Sequence, residues 1–85
     1  MEPHELFRQL VTLAEKLGHE VRMEPMGTPG GACRIGARSI ILVNEIADVV
    51  EQLEVMREAL SSLDLSNMYL LPEVREFLEG EERRA

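Results

Sequence analysis

The run Arg38-Ser39-Ile40-Ile41-Leu42-Val43-Asn44 constrains this chain more than any other stretch. Four successive apolar residues, three of them β-branched, read as a strand that is apolar on both faces. Ala32-Cys33-Arg34-Ile35 precedes it, with only Gly36-Ala37 between. Glycine at the first of two loop positions predicts a type II′ hairpin, pairing Ile35 with Arg38 and Cys33 with Ile40. In that register Cys33, Ile40 and Leu42 share one face, while Arg34, Ser39, Ile41 and Val43 share the other. One helix can cover only one of these faces. Ile41 and Val43 must then be covered by a second helix, by the end of the chain or by another subunit, which makes them candidate interface residues.

The flanking segments supply the helices. Leu6, Leu10, Leu13 and Leu17, with Phe7, Val11 and Ala14, recur at three- and four-residue steps and predict an amphipathic helix from about Pro3 to Leu17. Pro3 suits its first turn and Gly18 its end. His19-Glu20-Val21-Arg22-Met23-Glu24 alternates and reads as a half-buried strand over 20–24, stopped by Pro25. Pro25 through Gly31 follows as a loop. Asn44 or Asp48 starts the next helix, Asp48 with Glu51 forming a variant of the capping box. Ile46, Val49, Val50, Leu53, Met56, Leu60 and Leu63 trace its apolar stripe, with Glu51, Glu54, Arg57 and Glu58 on the wet side. Met68-Tyr69-Leu70-Leu71 is a docking strand or a packed connector. Pro72 opens a short last helix that buries Val74, Phe77 and Leu78, and residues 81–85 form a frayed tail.

The expected fold is α+β, in the order α-β-β-β-α-α, with a three-stranded antiparallel sheet and helices packed on it as one domain over residues 1–80. At 85 residues, 45% apolar but only 4% aromatic, the core is aliphatic and small. Sixteen acidic and nine basic residues give a net charge of −7, which opposes binding to nucleic acid or to an anionic membrane. No apolar run is long enough to span a bilayer and no secretory leader is evident, so the expected location is the cytoplasm. A single cysteine fits a reducing compartment.

Few residues point to chemistry. Cys33, between two glycines and an arginine, is a candidate thiol nucleophile with Arg34 lowering its pKa. Neither histidine, His4 or His19, is tied to it by spacing, and its place opposite Ile40 reads as core packing. The Gly27–Gly31 segment with Arg34 and Arg38 is a candidate anion or nucleotide cradle. It leads into a strand without a following lysine, so it meets neither the phosphate-loop nor the dinucleotide pattern. No metal-ligand spacing occurs, and no cofactor is expected.

Gly30-Gly31-Ala32-Cys33-Arg34, the hairpin that follows, and Tyr69-Leu70-Leu71-Pro72-Glu73-Val74-Arg75 together carry a resemblance. Over most of 18–78 the chain resembles a family of small uncharacterised bacterial proteins with a Gly-Gly-x-Cys-Arg hairpin and a long amphipathic helix. That likeness implies no activity and singles out Cys33, Arg34 and Arg75. A fainter likeness is to zincin-type peptidases, whose apolar strand ending in asparagine resembles Ile40–Asn44. The helix that follows here has no histidine, so the metal-binding pair does not carry over.

The function expected from these residues is non-catalytic: a protein-interaction module, working as a homodimer or by docking a partner. The alternatives are a thiol-dependent enzyme or redox sensor using Cys33, and the anion cradle.

Overall fold

The computed structural model describes residues 1–84, with side chains through Gly80. Six elements follow one another: α1 (Pro3–Lys16), β1 (His19–Glu24), β2 (Gly30–Ile35), β3 (Arg38–Asn44), α2 (Val49–Ser61) and α3 (Pro72–Arg84). The α+β class and the element order agree with the sequence reading. Residues 68–71 form a connector without strand structure. α3 runs to Arg84, beyond the end expected near Gly80, and the last residue of the expected frayed tail over 81–85 lies outside the described residues.

The expected antiparallel sheet is corrected to a mixed one. Strand order is β1-β3-β2, with β1 parallel to β3 and β2 antiparallel to it. The hairpin register is as expected, Ile35 opposite Arg38 and Cys33 opposite Ile40. Gly36 carries φ +62 and Ala37 no positive φ, the combination a type II′ turn requires. What changes is the place of β1. Were it paired beyond β2, the most apolar strand would lie at an edge with one row of backbone groups unpaired. Pairing β1 on the far side of β3 puts that strand in the centre.

A five-residue crossover, 25–29, makes this possible, because two strand spacings amount to only about 10 Å. Asn44 fastens it. Its backbone N–H donates to the Pro29 carbonyl at 3.1 Å, and its side-chain Oδ1 accepts from the N–H of Met26 and of Ile46, both at 3.2 Å. The buried Gln52 amide donates to the Asn44 carbonyl at 2.9 Å and to that of Ala47 at 3.2 Å, tying α2 to the same corner.

α1, over β1, and α2, over β2 and β3, pack on the face of the sheet that carries Ile41 and Val43. These two side chains are fully buried in one cluster with Leu10, Leu13, Ala14, Leu53, Met56 and Leu60, and α3 adds Val74 and Leu78. Ile41 and Val43 are therefore interior to the chain, and their assignment as interface residues is corrected. Covering them takes two helices side by side, so the other face of the sheet receives none. α2 starts at Asp48, whose side chain accepts from Glu51 N–H at 2.9 Å, and not at Asn44. Ile46 thus precedes the helix and is 73% exposed, and Val50 is 65% exposed, while Val55 and Ala59 join the expected Leu53, Met56 and Leu60 on the buried side.

Candidate functional site

The open face of the sheet holds Glu20 and Arg22 from β1, Arg38, Ile40 and Leu42 from β3, and Cys33 and Ile35 from β2, as the two registers dictate. Cys33 is exposed, which corrects its reading as core filler. It does alternate with Ile40 as expected, but onto the face that no helix covers. Ile40 is only 1% exposed all the same. Glu20 and Cys33 flank it in the ladder, and the Glu20 carboxylate accepts from both Arg22 and Arg38. An ion-paired layer thus shields the second side of the apolar strand. The hydrogen bonds from Arg22 and then Arg38 hold the Glu20 carboxyl below its ordinary pKa.

Arg34 lies on the opposite face from Cys33, so it is not the cation beside the thiol. Arg22 and Arg38 share the thiol's face, and Glu20 holds both. Glu20 also dominates the upward shift of the Arg22 pKa, with Glu24 and then the Cys33 sulfur contributing less. His19 starts β1 on the helix-covered side, opposite Ser39, with Nδ1 buried and unpartnered among the described residues. No imidazole therefore shares a face with Cys33 within the sheet. Arg75 is exposed on α3, beside a cleft of about 380 Å³ formed with Ser61, Leu65 and Leu70. α3 packs on α1 and α2, so Arg75 is not brought together with Cys33, Arg34 or Arg38.

A larger groove lies elsewhere. A groove of about 730 Å³ runs between β2 and the outer side of α2, lined by Pro29, Gly30, Gly31 and Ala32 on one wall and by Glu51, Glu54 and Glu58 on the other. Val55 and Ala59 form its apolar floor. β2 is an edge strand, and every residue in it is exposed except the half-buried Gly31. A two-residue turn makes Ile35 and Arg38 a hydrogen-bonded pair, so Cys33 with Ile40 and Gly31 with Leu42 are hydrogen-bonded pairs too. The Asn44 to Pro29 bond continues that phase. The N–H and C=O groups of Gly30, Ala32 and Arg34 therefore point away from β3, toward the free edge.

Gly30 is required where it stands. An added Cβ would meet the Leu42 carbonyl oxygen at 2.1 Å, and its φ of +112 disfavours any side chain. The Gly-rich segment thus serves close strand pairing, with Gly30 and Gly31 in register with Val43 and Leu42. Three carboxylates face it across the groove, a field that repels a phosphate. Of the two arginines of the expected cradle, Arg38 is held by Glu20 on the open face.

Sequence reasoning placed Arg57 among the surface glutamates, but it is 6% exposed. Its Nε donates to the Phe77 carbonyl at 3.0 Å, its guanidinium lies 4.0 Å from the Phe77 ring centroid, and its Nη1 reaches Glu54 Oε1 at 2.6 Å. Being committed to α3, it neutralises only Glu54. Glu51 and Glu58 have no cationic partner among the described residues. The signal available in the sequence was Arg57 lying one residue from Met56 and three from Leu60 in the apolar stripe, next to the buried side.

No helix of the described residues is long and apolar enough to cross a membrane, and no group of three or more His, Cys, Asp or Glu among them is placed to hold a metal ion. Comparison with protein-family models, with curated proteins and with solved structures finds no match for this chain.

Proposed function

We propose that this protein is a non-catalytic interaction module that docks a segment of another protein in the groove between β2 and α2. The observation that carries this reading is the coincidence of a groove of about 730 Å³ with an unpaired strand edge, where Gly30, Ala32 and Arg34 offer backbone donors and acceptors to a ligand. Homodimerisation through the same groove is disfavoured by charge, since a two-fold contact brings two sets of Glu51, Glu54 and Glu58 together. The body as a whole carries −7.

Selection of peptides from a random display library on the immobilised protein tests the proposal, followed by mapping of the winners through amide chemical shifts. Shifts concentrated at Gly30–Arg34 and along the outer side of α2, abolished by Ala32→Pro, support it. Proline at Ala32 removes an outward N–H without removing a bond to β3. Winners that map only to the Cys33, Ile40 and Leu42 face, or no winners at all, refute it.

A second reading rests on the exposure of Cys33, on the sheet face that also carries Arg22 and Arg38: a thiol that reacts in the native protein, as a redox sensor does. Alkylation of the folded protein at neutral pH as fast as that of the unfolded chain supports accessibility. Labelling only after unfolding removes this reading.

A further inference from the structure

The groove's two walls specify a ligand chemistry, and this inference rests on the docking role proposed above. From the unpaired edge of β2 and the carboxylates across from it, we infer that the occupant is an extended, basic peptide segment that adds to the sheet as a fourth strand beside β2.

Strand addition follows from the phase of the hairpin. The outward backbone groups of Gly30, Ala32 and Arg34 repeat every second residue, which is the pattern an incoming strand satisfies and a helix does not. Gly30 and Ala32 line the groove and are the least bulky wall available, leaving room for a backbone at strand spacing. Those residues belong to the face of the sheet on which α2 lies. Every second side chain of an added strand therefore points toward α2, and the others point to the open side.

The charge follows from what those side chains meet. Glu51, Glu54 and Glu58 lie along α2 with axial separations of about 4.5 and 6 Å. Side chains at i and i+2 of a strand are about 6.8 Å apart. Two lysines or arginines at i and i+2 thus match neighbouring carboxylates of the row, their aliphatic stems crossing Val55 and Ala59. Arg57 is turned away to Phe77, so the row is neutralised only at Glu54. Glu51 and Glu58 are exposed, which makes their contribution one of steering and selectivity, weakened by salt. A segment with acidic residues at the same positions is rejected.

The test titrates the full chain with a fluorescein-labelled decapeptide alternating lysine and threonine, read by anisotropy and by amide shifts. Expected are saturable binding that weakens with added salt, a footprint at Gly30–Arg34 and Glu51–Ser62, and no binding by the glutamate-threonine counterpart. A Glu51→Gln and Glu58→Gln double variant, checked for an unchanged melting temperature, binds about tenfold more weakly. N-methylating one alternate set of peptide amides abolishes binding, while methylating the other set leaves it. Equal binding of both methylated peptides shows attraction without strand pairing and overturns the inference. So does equal binding of the acidic peptide, or a footprint on the Cys33 face. Should the lysine peptide fail while library-selected peptides of other chemistry still map to the groove, this inference falls and the docking role stands. If no peptide of any kind maps there, both fall.

Discussion

Replacing Arg57 by methionine isolates what the guanidinium does at the junction of α2 and α3, because methionine preserves much of the aliphatic stem. Three contacts are lost. The bond from Nε to the Phe77 carbonyl, 3.0 Å long and on a buried side chain, is a charge-assisted one that contributes about 1.5 to 3 kcal/mol. The guanidinium lies 4.0 Å from the Phe77 centroid, and a desolvated pair of that kind adds on the order of 1 to 2 kcal/mol. The contact with Glu54 adds little, since that carboxylate is half exposed. Against these stands the relief of the cation's desolvation, which offsets only part of that sum because the guanidinium already keeps the half-exposed Glu54 carboxylate as a partner. The expected net loss is about 2 kcal/mol, and for a chain of this length each kcal/mol lowers the melting temperature by roughly 4 to 8 °C. Urea unfolding followed by circular dichroism measures it, with Arg57→Met, Phe77→Leu and their combination forming a double-mutant cycle. A coupling of about 1 kcal/mol is expected between the two. An Arg57→Met protein as stable as the parent, with no coupling to Phe77, would show that Val74 and Leu78 alone hold α3, and would refute the reasoning.

Other perturbations probe the remaining features. Asp48→Ala removes the side-chain acceptor of Glu51 N–H and lowers stability by about 1 kcal/mol in the same urea assay. Gly30→Ala drives a Cβ into the Leu42 carbonyl and costs more than about 2 kcal/mol. Gly80→Ala meets Arg57 only at 3.6 Å, an ordinary contact, and stabilises α3 by about 0.5 to 1 kcal/mol. Because Arg22 and Arg38 hold the Glu20 pKa below that of the unfolded chain, the stabilisation they confer is present above about pH 4.3 and is lost as the pH falls through the folded value. A carboxyl-detected titration should find the Glu20 midpoint depressed, and Arg38→Gln should move it upward. An unshifted midpoint would dissolve the ionic layer over Ile40.

Local pattern alone determined most of the elements. The leucine spacing over 3–17, Pro3, Asp48 and Pro72 marked helices because caps and periodicity act within a few residues. Gly36-Ala37 set the hairpin register for the same reason: a two-residue turn leaves only one pairing of its strands. Only the tertiary structure decided which face of that hairpin the helices take and where β1 goes. Strand alternation separates two faces without saying which is inside, and Ile41 with Val43 won because Val21 and the α1 leucines lie on their side. β1 passed to the far edge of β3 because centring the most apolar strand satisfies both its rows of backbone groups, a gain that no neighbour-to-neighbour rule registers. The choice of face turned Cys33 outward and buried the expected interface, and the place of β1 left β2 as the free edge. The groove is equally a tertiary product. Gly30 and Ala32 are some twenty residues from Glu51, and only the packing of α2 over the sheet sets a row of carboxylates against an unpaired strand.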